Sequence, residues 1–377
     1  MAAADRDHRT DGGAITRIAI SLVAATAAVL AGWIYFVAAP TGGEPVVVVD
    51  IPPQSGPAIE PGELAIRETV PPERVIPGED QPPFPPGEGI RIIDPAASVS
   101  RTDGRAELAR APFAGLAETT EFGLLPKIGE GGRTASEAYA RPAPTIASGP
   151  AAPVRAALVV TGLGISANGT SAAISSLPAD VTLAFAPYGG DLQTWVNRAR
   201  SDGHEVFLQI PMEPFDYPDN DPGPHTLLTT LEDADNLDRL HWLLARFAGY
   251  VGVTNYMGAK LTSSPEALGP VMSELSARGL AFVDDGTSSR SRGVDIAHEL
   301  GAPAVAADVA IAADATREDI NADLARLEAI ATENGAALAI APALPVTIEV
   351  LTDWSRGLTS RGIILVPASA LLRDKTS

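Results

Sequence analysis

Two kinds of residue in this 377-residue chain have the chemistry of a reactive site: carboxylates just past apolar runs, and the aromatic and polar side chains around them. Glu213 lies between Pro211-Met212 and Pro214, and Asp284-Asp285 follow the run Ala281–Val283. Two carboxyl groups can serve as acid and base on a glycosidic bond, at about 5–5.5 Å apart for retention or about 6.5–9.5 Å for inversion. Glu213, Asp284 and Asp285 are therefore the catalytic candidates. Glu213 and Asp285 also have plainer readings, with Glu213 binding loop amides and Asp285 capping the following helix through Gly286-Thr287-Ser288. Thr161, Tyr188, Asn255 and Tyr256 stand past other apolar runs, and His225 lies in the long loop after Glu213. These five are the candidate substrate-binding groups. Phe215, Tyr217 and Trp242 add faces on which a sugar could stack.

A resident metal or other cofactor is not expected. The chain has no cysteine; His8 precedes an apolar N-terminal segment, His241 and His298 fall in helical stretches, and His204 comes before a strand. His225 alone is placed to reach the candidate site, whereas a zinc centre draws on several His or Cys ligands.

These residues need elements to hold them. The central stretch is Ala157–Gly164, ALVVTGLG, an apolar run breaking into a glycine-rich turn. It reads as a buried parallel strand. The same grammar gives strands at 157–161, 181–186, 205–210, 250–254, 280–284, 303–308, 336–341 and 362–366. Helical stretches lie between them. Ser264-Pro265 opens one and Gly279 stops it. Thr316 to Asp319 reads as a capping box for another, whose face of Ile320, Leu324, Leu327 and Ile330 ends at Gly335. Parallel strands need helical crossovers. The expected fold is thus α/β, a (β/α) barrel with seven or eight parallel strands, with a doubly wound sheet as the alternative. Both architectures bind ligands past the carboxyl ends of the strands.

Upstream, Ile18–Ala39 is a run of 22 residues without a charge. It is long enough to span a bilayer. Arg6, Arg9 and Arg17 precede it, and no Lys or Arg follows before Arg67. The positive-inside rule then keeps the N-terminus in the cytoplasm. A cleaved signal peptide is the competing reading, opposed by the length of the run and by Pro40. The expected organisation is a cytoplasmic tail (1–17), a transmembrane anchor (18–39), a Pro/Gly-rich disordered linker (40–112), an arm packed on the barrel (113–150) and the main domain (151–377). The chain would sit in the inner membrane by a single pass, with its C-terminal domain in the periplasm. A formal charge of −20 argues against a nucleic-acid partner.

From Ala157 to Leu372 the chain resembles the divergent polysaccharide deacetylases, a bacterial envelope family with a NodB-like barrel. The resemblance is carried by VTLAFAPY (Val181–Tyr188), PMEP (Pro211–Pro214), the GP and LLTT of the following loop, NYMGA (Asn255–Ala259) and FVDDGTSSRS (Phe282–Ser291). The arm LLPKIGEGGRTASEAYARP (Leu124–Pro142) is also similar. Resemblance implies a glycan-related role in the cell envelope. Departures fall where the chemistry would be. The family's first strand ends in DDLG, where this chain has Thr161-Gly162-Leu163-Gly164. Its NHMGS motif carries a histidine in place of Tyr256, and its later histidine-bearing strand end is here Ala339–Pro342. Metal-assisted deacetylation needs a bound cation and a base.

The expectation is a membrane-anchored deacetylase-like domain that has lost that chemistry and binds an envelope glycan or an envelope protein. The alternatives are a carbohydrate-active hydrolase using Glu213 with Asp284 or Asp285, and a structural assembly module of the envelope. The Tyr256 ring is expected to fill the vacated metal space, its hydroxyl reaching Asp284 or Asp285.

Overall fold

The computed structural model describes residues 106–144 and 153–374. Ile18–Ala39 and the Pro/Gly-rich stretch up to residue 105 lie outside the described residues. Within them, no helix is long and apolar enough to cross a membrane.

Residues 106–144 form an arm. Gly123, at φ +124°, turns β1 (Ala117–Thr120) back on β2 (Gly123–Pro126) as an antiparallel pair. Thr134 and Glu137 then cap α1 (Ala135–Ala138) reciprocally. The packed part begins before Phe113, since Leu108 and Ala111 are already buried. One side chain gathers most of the arm. Arg200, fully buried, donates to the carbonyls of Ala109 (2.8 Å), Tyr139 (3.0 Å) and Gly249 (3.3 Å) and lies over the rings of Phe113 and Tyr139.

The main domain alternates strand and helix as its apolar runs require. β3 (Val154–Leu163), β4 (Thr182–Phe185), β5 (Val206–Met212), β6 (Gly252–Met257), β7 (Ala281–Asp284), β8 (Ala304–Ala306), β9 (Val309–Ala310), β10 (Ala336–Pro342) and β11 (Ile363–Leu365) make one parallel sheet. Its order is β8-β7-β6-β5-β4-β3-β10-β9. β3 lies at the heart of it. β10 pairs along one edge from Arg155 to Thr161, while β11 and β4 share the other, β11 at Val154–Ala156 and β4 from Val159 onward. The apolar run 362–366 thus becomes a short strand at the foot of β3.

The run 303–308 is not one strand but two. β8 pairs with β7, and after Ala307-Asp308 the chain pairs with β10 as β9. One seven-residue segment therefore carries both edges of the sheet. Three residues of extended chain span at most about 11 Å, so the sheet curls until its edges nearly meet. Asp308 holds the crossing by donating its N–H to Leu338 (2.8 Å) and accepting the Leu338 N–H on its carboxylate (2.9 Å).

Helices α2 (Ala167–Ser176), α3 (Leu192–Ser201), α4 (Asp233–Leu244), α5 (Pro265–Ala277), α6 (Gly293–Glu299), α7 (Arg317–Asn334) and α8 (Pro345–Arg356) alternate with the strands. The capping box at Thr316 forms, with Asp319 as its carboxylate, and Gly335 ends α7 in the left-handed region. At α5 Pro265 takes the first turn, but the Ser264 side chain makes no cap bond. The last helix, α9 (Ala368–Asp374), presents the Ser369 N–H to the buried Glu205 carboxylate, which also accepts from the Thr182 hydroxyl and the Arg141 N–H. Glu205 so joins the strand bases, the arm and α9.

Register fixes which way each strand residue points. Alternate residues face opposite sides. Phe185 meets Phe247, in the connection after α4, so Phe185 and its partners Leu208, Val253 and Phe282 face the helices. Gln209, Thr254 and Val283, paired with one another, face the inside of the curl.

Candidate strand-end site

β3 delivers Thr161 and Gly162 to the rim because its apolar stretch ends there. Gly162 adopts φ +79°, and a Cβ placed on it would meet nothing within 4 Å. The backbone needs glycine's freedom here while the space beside it is open. The Gly162 N–H donates to Oε1 of Gln209 at 2.7 Å, and the Thr161 hydroxyl donates to the Ala341 carbonyl at 3.3 Å. The ends of β3, β5 and β10 are thereby tied together.

Gln209 did not emerge from the sequence reading. It is 4% exposed, inside an otherwise apolar strand VFLQIPM. That lone polar residue in a buried run was the signal available, since a buried carboxamide needs partners.

The candidate carboxylates are held, not poised. Glu213 is 2% exposed and accepts from the Thr229 N–H (2.6 Å), the Thr229 hydroxyl (2.7 Å) and Lys260 Nζ (2.7 Å). Burial pushes its pKa up, but the Lys260 and Thr229 bonds outweigh this and hold it below the usual glutamate value. Its backbone carbonyl accepts from Lys260 and Leu261 as well. Its plainer reading, as a binder of loop amides, describes this environment.

Asp284 does not face the rim interior. Two positions on from Phe282, it points to the helix side, where it accepts from the Gly286 N–H (3.0 Å) and from the Ser291 hydroxyl just before α6. The expected convergence of Asp284 with the other rim groups is corrected by this register. Asn255, on the same side, accepts the Asp285 N–H (2.9 Å) and donates to the Met257 carbonyl (2.7 Å), bracing Met257 at φ +57°. Asp285 accepts from the Thr287 N–H (3.0 Å) and hydroxyl (2.7 Å). This is an Asx-type turn and not the expected helix cap, because the next helix starts only at Gly293, after Arg292. Burial, with the Asp284 charge adding to it, raises the Asp285 pKa against the Thr287 and Asn255 bonds.

Tyr256 is 43% exposed, and its hydroxyl makes no hydrogen bond among the described residues. The expectation that its ring fills a vacated space and reaches Asp284 or Asp285 is thus corrected: those aspartates have other partners, and the space beside Gly162 is open. Tyr188 and His225 form a separate cluster. The His225 ring stacks on Trp242 at 3.8 Å, Arg246 lies 4.7 Å from the Trp242 centroid, and the Tyr188 hydroxyl donates to the Pro224 carbonyl. Burial, with Asp221 adding to it, pushes the Tyr188 pKa up to about 12, and burial followed by Arg239 lowers that of His225. Phe215, 52% exposed beneath the Arg290 guanidinium, completes the aromatic rim. His204 is buried between the Val181 and Ile174 carbonyls, and His241 pairs with Glu274.

The architecture is that of a parallel α/β domain with its polar and aromatic groups gathered past the carboxyl ends of the strands. The family model for divergent polysaccharide deacetylases matches residues 158–372. The chain belongs to the divergent polysaccharide deacetylase family. It is 27% identical over 202 residues to the uncharacterized protein YibQ of Escherichia coli, covering 53% of this chain and 62% of that protein. An uncharacterized protein of Haemophilus influenzae is 26% identical over 190 residues, covering 50% and 66%. The chain thus spans less than two thirds of the length of these relatives. The crystal structure of the uncharacterized protein ATU2773 from Agrobacterium tumefaciens is 44% identical with a TM-score of 0.62, covering 66% of this chain and 99% of that one.

Metal-assisted deacetylation needs ligands that converge on one divalent cation, plus a base. The first strand offers Thr161 and Gly162, and Asp284 and Asp285 are spent on turn amides and hydroxyls. Among the described residues no three His, Cys, Asp or Glu side chains come together to hold a cation. Restoring one histidine should therefore not restore a site. Tyr256→His is expected to give no zinc-binding heat at micromolar concentration in titration calorimetry. Micromolar binding would mean that other residues complete a metal centre.

Proposed function

We propose that this protein is a membrane-anchored, periplasm-facing member of its family that binds an envelope glycan, or an envelope protein, at the strand-end rim without metal-dependent deacetylation. The observation carrying this reading is the pair Thr161-Gly162, which offers neither a carboxylate base nor a metal ligand where the family pattern has two aspartates. Exposed Tyr256 and Phe215 support a sugar-binding rim, because aromatic faces pack against the apolar faces of sugar rings. The charge-free run Ile18–Ala39 supports the anchor. Nothing favours a two-carboxylate hydrolase, since both Glu213 oxygens are hydrogen-bonded and Asp284 faces the helices.

The test adds Zn, Mn, Co or Ni to the purified protein and measures acetyl release from chitooligosaccharides and peptidoglycan fragments. The expected rate is that of the protein-free control. Robust metal-dependent turnover overturns the reading. In parallel, Tyr256→Ala should weaken binding of whichever of these glycans the wild type takes.

A further inference from the structure

Gln209 uses only half of its carboxamide. Its Oε1 accepts the Gly162 N–H, while Nε2 has no hydrogen-bond partner among the described residues, although the residue is 4% exposed. Thr254, its register partner on the next strand, faces the same interior and also carries a buried hydroxyl without a partner. A carboxamide nitrogen free of protein partners and an enclosed, unpaired hydroxyl therefore stand side by side on the inner face. Gln209 is the member of the pair that lies beside open space, since a Cβ on Gly162, the residue bonded to it, meets nothing within 4 Å and Tyr256 is exposed on the neighbouring strand end. An apolar residue would pack more favourably at position 209 if the position served only the core.

We infer that Gln209 is a ligand-contacting residue, its Nε2 donating to an uncharged oxygen acceptor of the bound molecule with the Thr254 hydroxyl beside it. Thr161 and Gly162 carry no ionisable group and the Gln209 amide is an uncharged donor, so the fitting group is a hydroxyl or an acetamido carbonyl rather than an anion or a cation. This inference rests on the glycan-binding reading above and names the residue that reads the glycan.

The test uses the full-length protein labelled with 15N-glutamine, which contains four glutamines. N-acetylchitotetraose and cellotetraose are titrated in separately. The first offers acetamido carbonyls and hydroxyls, the second hydroxyls alone. The Gln209 side-chain amide pair should shift with at least one of them, and a shift with only the first identifies the acetamido group as the acceptor. Gln209→Glu keeps an acceptor for the Gly162 N–H and loses the donor. It should retain its melting temperature within a few degrees while binding falls about ten-fold or more. Binding by the wild type without a Gln209 shift, or undiminished binding by the variant, overturns the role of Gln209 and leaves the glycan reading standing. Failure of the wild type to bind either oligosaccharide overturns both. If the variant does not fold, the wild-type titration decides alone.

Discussion

Arg200→Met is expected to lower the stability of the domain by about 3–5 kcal/mol and its Tm by on the order of 10 °C. The guanidinium is fully buried, and three carbonyls from three parts of the chain depend on it. Methionine fills much of the volume and donates to none of them, so Ala109, Tyr139 and Gly249 are left short of a donor. The rings of Phe113 and Tyr139 also lose the cation above them. Arg200→Lys should fall between, because one ammonium cannot reproduce the planar fork. Chemical denaturation gives the energy, and limited proteolysis gives the location: new cuts should appear within residues 106–144 before any in the sheet. A shift of less than a degree, with no new cuts, would mean that the arm is held by its other contacts.

Glu213→Gln should cost about 2–4 kcal/mol at neutral pH, since hydrogen bonds to charged groups are worth about 1.5–3 kcal/mol each and are not additive. The loss should depend on pH in one direction. The Glu213 carboxyl is held below its ordinary 4.5 in the folded chain. Its contribution is therefore fully present above 4.5 and fades as pH falls through the lower, folded value. Urea titrations of wild type and variant should give free energies that differ at pH 7 and converge in acid. A gap that stays constant down to pH 3 would show that Glu213 contributes through packing, not charge.

Much of the fold was legible because burial alone writes it. Each of the eight apolar runs became strand, and the caps at Thr316 and Gly335 formed from purely local chemistry. What was not legible is nonlocal. A strand buried on both faces shows no alternation of polar and apolar residues, so nothing in AFVDD told which side Asp284 faces. The partners of Glu213 lie 16 and 47 residues away, at Thr229 and Lys260. The stacking of His225 on Trp242 joins a loop to a helix. The break of 303–308 into two strands follows from the curvature of the whole sheet, which no local pattern encodes. Gln209 was visible as an anomaly and was passed over because it precedes the strand end.

That broken run also bears on how the family's rims can vary. Within the sheet every other neighbouring pair of strands is locked by hydrogen bonds, so changing the spacing between them means breaking a ladder. Between β8 and β9 there is no ladder: Ala307 and Asp308 complete the perimeter as chain, pinned by the Ala307 N–H to the Asp284 carbonyl and by the two bonds of Asp308 to Leu338. Inserting or deleting a residue at Ala307-Asp308 would alter the girth of the opening at the cost of those three bonds, while leaving the rest of the ladders paired. Among the described strands this junction is where the aperture costs least to adjust, and it lies beside β7, whose end carries Asp284.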